Sequence, residues 1–249
     1  MRILISPAKK MRIDNDFLGH TALPRFLADA ETLAAILRSM TDAQLQALWK
    51  CSEKIAKQNI GRLQTMDLRR NLSPALFSYD GIQYQYMAPD ILETDHFTYL
   101  QEHLRILSGL YGLLRPFDGV TPYRLEMQAK LSVDGQRDLY AFWGRKLAAQ
   151  LAGETDLVVN LASREYSQAV LPYLPKSVRC INCTFGELKD GKVIEKATMC
   201  KMARGSMVRF MAENQITCIS HLFAFRGLGY VYDAQRATPD NLVFIKGGI

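Results

Sequence analysis

The sequence predicts a mixed α/β domain, in the α+β sense of one compact unit with a mixed sheet flanked by helices. Three observations carry that prediction. Short apolar runs at Arg2 to Ser6 and Leu157 to Asn160 have the length and composition of buried strands. Long intervening stretches place apolar residues at helical spacing. Near the end, Lys189-Asp190-Gly191 separates two alternating runs, Val178 to Phe185 and Lys192 to Met199, as a hairpin turn does. The elements follow no strict βαβ order, which points to a mixed sheet rather than a Rossmann fold.

Each element has its own signal. Pro24 suits the first turn of a helix that buries Phe26, Ala30, Leu33 and Leu37. Thr41 and Gln44 have capping-box spacing ahead of Leu45, Leu48 and Trp49. Ser52 caps a third helix with Ile55 and Leu63 inward and Lys54, Lys57 and Arg62 outward. Phe77, Tyr79, Ile82, Tyr84 and Tyr86 alternate partly around Asp80-Gly81, which suits a hairpin. Thr94 caps a helix with Phe97, Leu100, Leu104 and Leu107 on one face. Asp138 begins another, running to Leu151, in which Gly144 suggests a close approach. Ser163 stands where a strand turns into a helix and can cap it. Ala203, Met207, Phe210 and Met211 form the stripe of a late helix, and Gly229 to Asp233 and Leu242 to Ile245 read as closing strands.

Size and composition bound the function. With 249 residues, 48% hydrophobic and 22% charged, and no linker, the chain reads as a single domain over 1–249 with a substantial core. No stretch reaches the ~18 apolar residues of a membrane span, and MRILISPAKK lacks a secretory core, so a cytoplasmic protein is expected. The five cysteines read as reduced thiols; Cys180 and Cys183 lack the second pair or histidine that zinc requires. His96 and His103 have no further ligands at suitable spacing, so neither a metal nor a cofactor is expected. The net charge of +6 makes an anionic partner plausible, either nucleic acid or a small molecule.

The candidate site residues follow from where charge and glycine fall. Leu104 to Met127 looks like the end of a helix broken at Gly109 and Gly112, followed by Arg115 and Arg124 on loop stiffened by Pro116 and Pro122. Stiffly held arginines suit an anion. Lys9 follows the first strand, where open α/β sheets place ligand groups, although no glycine-rich phosphate loop accompanies it. Asn160, Ser163, Glu165 and Tyr166 crowd the end of a later strand. Lys201, Arg204 and Arg209 lie off the apolar stripe of the late helix, with Gly205 leaving room for something to approach.

Six stretches, taken in order, resemble the YaaA family of peroxide stress proteins: Ile5 to Lys9, Leu107 to Pro116, Pro122 to Met127, Leu139 to Gly144, Asn160 to Tyr166 and Ala203 to Arg209. The resemblance covers nearly the whole chain. It implies a role in defence against hydrogen peroxide, through limiting free iron and protecting DNA. It also implies an unusual α/β fold with a positively charged cleft and a helix-hairpin-helix element that binds duplex DNA. That hairpin falls at Gly109 to Gly112, and by motif position the basic cleft comprises Lys9, Arg115, Arg124, Lys201, Arg204 and Arg209.

Two functions fit these residues, DNA binding first and an enzyme as the alternative. In one, these groups grip DNA phosphates largely without regard to sequence. In the other, the cleft is an enzyme site for a small anionic or nucleotide substrate. Glu126 or Glu165 would then be the general base, with Ser163 a further catalytic candidate, Lys9 and Arg124 would stabilise negative charge, and Trp143, Asn160 and Tyr166 would line the pocket.

Overall fold

A computed structural model describes residues 1–13 and 18–247 of the chain; the rest of the expected 1–249 unit lies outside the described residues. The first half contains β1 (Arg2–Ile5), β2 (Lys10–Met11), α1 (Leu27–Ser39), α2 (Asp42–Trp49) and α3 (Glu53–Thr65). It continues with β3 (Ser73–Pro74), α4 (Ala75–Ser78), β4 (Tyr79–Asp80), α5 (Ile82–Met87) and α6 (Thr94–His103). Then come β5 (Leu104–Ser108), β6 (Gly112–Leu114), β7 (Gly119–Val120), α7 (Leu139–Trp143) and α8 (Lys146–Ala152). The last part holds β8 (Leu157–Asn160), α9 (Arg164–Ser167), β9 (Arg179–Lys189), β10 (Lys192–Ile194), α10 (Ala197–Glu213), β11 (Tyr230–Tyr232) and β12 (Asn241–Lys246).

A mixed sheet organises these elements, in the order β11-β12-β9-β8-β1-β5-β6, with β10 extending β9. The inner five strands run parallel, and β6 and β11 close the two edges antiparallel. Ile3 pairs in register with Leu104 on one side and Val159 on the other. Ile3, Leu4 and Ile5 are wholly buried, which explains why β1 reads as a continuous apolar run: a central parallel strand is covered on both faces.

The strand order creates a crevice. From β1 the chain passes through α1 to α6 and joins the sheet at β5, on one side. β8 lies against the other flank of β1 and leads outward to β9. The loops leaving the carboxyl ends of β1 and β8 therefore diverge, the arrangement in which open α/β sheets leave a ligand crevice.

Several elements agree with the sequence reading. The capping box at α2 has both halves, Gln44 N donating to Thr41 Oγ1 at 3.3 Å and Thr41 N to Gln44 Oε1 at 2.8 Å. The hairpin turn between β9 and β10 has Asp190 at φ 50° and Gly191 at φ 73°, as a two-residue turn matching the strand twist requires.

Others differ, each for a physical reason. The helix expected through Leu104 and Leu107 ends at His103, and both leucines are buried in β5, where a strand covered on both faces mimics an apolar helix stripe. Gly109 and Gly112 consequently lie in the turn of the β5–β6 hairpin, where Ser108 pairs with Gly112, and have no helices flanking them. The helix from Asp138 breaks at Gly144, whose φ of 45° and ψ of −124° no helix accommodates, giving α7 and α8. Asp80-Gly81 is not a hairpin turn: α5 follows it, burying Gln83, Tyr84 and Met87. In α3 the inward face is Ala56, Asn59, Ile60 and Leu63, leaving Ile55 exposed. The cap of α6 is Glu93 rather than Thr94, paired reciprocally with His96. The second hairpin strand ends at Ile194, and α10 begins at Ala197.

Candidate functional site

The crevice walls are built from four separate pieces of chain. Across its floor the loops after β1 and β8 are stitched together: Ser163 N donates to Ser6 Oγ at 2.8 Å, and Ser6 Oγ donates to Ser163 Oγ at 3.2 Å. Asn160 shapes the second loop, accepting from Ala162 N at 3.0 Å and donating to Asn182 Oδ1 at 2.8 Å. Tyr84 on α5 donates to the Ser6 carbonyl at 3.1 Å. The remaining wall is α10, packed against α5 at Gly205, where an added Cβ would sit 2.0 Å from the Gln83 carbonyl oxygen. The expected approach to Gly205 is thus made by the backbone of α5.

These pieces enclose a cavity of about 370 Å³ lined by Lys9, Ser163, Glu165, Tyr166, Lys201 and Arg204, with Gln83 and Tyr84 in the α5 wall. Lys9, Lys201 and Arg204, far apart in sequence, share one surface. Their partners differ. Lys9 lies 3.3 Å from Glu126, which Arg124 holds from behind at 2.8 Å. Lys10, at the rim, pairs with Asp80 at 2.5 Å. Lys201 and Arg204 have no carboxylate partner among the described residues, and Arg204 Nε and Gln83 Nε2 are buried N–H groups without an acceptor. Unpaired buried donors are costly, by ~1–3 kcal/mol each, so this wall favours an acceptor-rich occupant.

Glu165 faces this positive wall. Burial pushes its carboxyl pKa up and Glu126 adds to the effect, against the Gln128 N–H at 3.5 Å and the charge of Lys9, which act in the opposite direction. The Tyr166 hydroxyl is likewise pushed well up, first by burial and then by Tyr123, Glu165 and Glu126. Burying carboxyls and phenols away from water favours their neutral, hydrogen-donating forms.

Not every expected site residue reaches the cavity. Arg115 follows β6, which runs against the parallel strands, so it lies at the opposite edge of the sheet beside Arg105 and Asp118. Arg209 is on α10 but pairs with Glu213 at 2.6 Å and does not line the cavity. Trp143 is a core residue, wholly buried, its indole N–H donating to the Gly109 carbonyl at 3.1 Å and its ring packed over Gly112. Asn160 and Glu126 are buried behind the wall, one shaping the turn and the other orienting Lys9 and Arg124. Ser163 makes no side-chain cap to α9, because its hydroxyl is engaged by Ser6.

Gln83, Tyr84 and Ser6 were missing from the sequence-derived set. The alternating aromatics between 77 and 86 imitate a strand, while the signal for α5 was the i, i+4 spacing of Gln83 and Met87. A larger cleft of about 950 Å³ lies at the other edge, near Arg2, Arg105 and Arg115. Its chemistry is more nearly closed, since Arg2 and Arg105 both bind Glu154, at 3.2 and 2.7 Å. Among the described residues no group of three or more His, Cys, Asp or Glu could hold a metal ion, and no helix is long and apolar enough to cross a membrane.

Comparison with known proteins matches residues 1–236 to the family model described as peroxide stress protein YaaA. A relative from Pediococcus pentosaceus named UPF0246 protein is 50% identical over 246 residues, covering 99% of this chain and 98% of that one. UPF0246 proteins from Lachnoclostridium phytofermentans and Lactiplantibacillus plantarum are 48% and 47% identical, covering 99% and 98% of this chain and 97% and 99% of theirs.

Proposed function

Because the chain belongs to the peroxide stress protein YaaA family, we propose that it serves the peroxide stress response by binding a small anionic ligand in the crevice between β1 and β8. The observation that carries this reading is the pair Lys201 and Arg204: two cations without carboxylate partners among the described residues, in the wall of a cavity whose other side supplies Lys9. A volume of about 370 Å³ is of the order that holds a nucleotide-sized molecule. In an enzymatic version, Lys9, Lys201 and Arg204 neutralise negative charge and Glu165 moves a proton. The proposed setting is cytoplasmic, and the proposed outcome is less iron-dependent oxidative damage to DNA.

A second reading, duplex DNA as the partner, is favoured by the cavity's rim. Lys9 and Lys10 have side chains 62% and 79% exposed there, and the chain carries a net +6. Phosphates would then bind across the mouth, with affinity falling steeply as salt rises.

A thermal-shift series with inorganic phosphate, nucleoside monophosphates and a DNA duplex separates the two. Stabilisation by a small anion that disappears in Lys201→Ala/Arg204→Ala supports the crevice reading. Stabilisation by the duplex alone, steeply salt-dependent, supports the second. No response to any of them refutes both.

A further inference from the structure

The proposed anion site contains a carboxyl group, and a carboxylate beside a bound oxyanion repels it. We propose that Glu165 meets the bound oxyanion as the neutral acid, donating a hydrogen bond to it, so that anion binding takes up one proton from solution. This deepens the crevice reading and rests on it, and it names the ligand class: an oxyanion with a free acceptor oxygen turned toward α9.

The geometry singles out Glu165 among the acids nearby. It lines the cavity together with Lys9, Lys201 and Arg204, so an anion held by those cations lies in the same space as its carboxyl. Glu126 is set back and shared between Lys9 and Arg124, at 3.3 and 2.8 Å, while Asp80 is tied to Lys10 at 2.5 Å. Neither is released to meet a ligand without breaking an ion pair. The groups around Glu165 come from every neighbouring element. They are Lys9 from the loop after β1, Glu126 and the Gln128 N–H from the segment after β7, Tyr140 on α7, Tyr166 beside it, and Lys201 and Arg204 on α10. The Gln128 N–H, the charge of Lys9 and the Met127 N–H oppose protonation, and a bound anion would draw on the charge of Lys9.

The proton balance is simple. The carboxylate takes a proton from solvent as the anion enters, and the O–H then points at an anion oxygen; on release both leave. Burial already biases Glu165 this way, and an added negative charge moves it further in the same direction.

Sulfate is the probe, because it keeps its double charge across the neutral range and any pH dependence belongs to the protein. Isothermal titration of the full chain in two buffers of different ionisation enthalpy should show proton uptake on binding. Affinity should fall by about tenfold for each pH unit above the carboxyl's titration in the free protein. Glu165→Gln, which presents a permanent amide donor, should bind sulfate as tightly as the wild type does in acid, with little pH dependence. Sulfate binding without proton uptake in the wild-type protein at pH values above the carboxyl's titration overturns the proposal while leaving the anion site standing. So does a Glu165→Gln variant that keeps the wild-type pH profile. Absence of sulfate binding at every pH removes the anion site itself, and the proposal with it. The proton-uptake measurement needs no variant, so a poorly folding substitution does not blunt the test.

Discussion

The two ends of the parallel strands both carry arginines and carboxylates, yet they treat charge in opposite ways. At the amino edge, Glu154 accepts from Arg2 and Arg105, and Arg105 is only 3% exposed. That cluster joins the starts of β1 and β5 to the turn before β8. At the carboxyl edge, Lys201 and Arg204 face a cavity without carboxylate partners among the described residues, while the acids there are occupied or, for Glu165, biased toward neutrality. The lesson is that a basic residue's count of partners, rather than its presence, separates a structural ion cluster from a site with capacity left for a ligand.

That contrast can be attacked from either end. Glu154→Ala strands two arginines, one of them buried, and should cost ~3–5 kcal/mol in a urea melt while leaving anion affinity unchanged. A loss of binding in a variant that remains folded would erase the distinction between the edges.

Asp118, also at the amino edge, is pushed up to about 6 by burial, against the Arg115 N–H at 2.8 Å and the charges of Arg115 and Arg105. Its folded value lies above its ordinary 3.8, so the native state holds this proton more tightly than the unfolded chain does. The stability it contributes is whole below about 3.8 and lost as pH rises through about 6, a change of about 3 kcal/mol. Asp118→Asn keeps the acceptor and removes the titration, so its stability should vary less with pH across that window. An unchanged profile would show that Asp118 titrates normally.

Gly205→Ala bears on the cavity wall. The new Cβ collides with the Gln83 carbonyl and must push α5 from α10, costing ~1–3 kcal/mol and weakening anion binding through displacement of the wall. Equal stability and affinity would mean that α5 does not set the cavity's shape. The smallest expected effect is that of Ser163→Ala. It loses the hydroxyl contact with Ser6 but keeps the backbone bond, at a cost of ~0.5–1.5 kcal/mol measurable by thermal denaturation.

The sequence made much of this architecture legible, and for identifiable reasons. β1, β8 and β12 stand out because central parallel strands are apolar without interruption, α1 because of its apolar stripe and α2 because of its capping box, both local signals. Leu104 and Leu107 were misleading: a fully buried strand attached directly to a helix continues its apolar spacing without a break in composition. The aromatics of 77 to 86 misled for the opposite reason, since α5 is only six residues long and buries too few positions to display a helical period.

The site was half legible. Lys9, Ser163, Glu165, Tyr166, Lys201 and Arg204 were identified and do share a cavity. Arg115 could not be sorted from them, because its place at the other edge depends on β6 reversing direction, a fact of sheet pairing. Trp143 belongs to the core, its polar N–H satisfied internally by the Gly109 carbonyl.

Where an oxyanion binds decides which edge of the sheet is the site. Calorimetric titration of sulfate into Lys201→Ala/Arg204→Ala and into Arg115→Ala compares the two edges directly. The prediction is an affinity reduced at least about tenfold in the first protein and unchanged in the second, roughly 1.4 kcal/mol or more of binding energy assigned to the carboxyl edge. Binding that survives in the first and is lost in the second would place the anion at the amino edge and contradict the account.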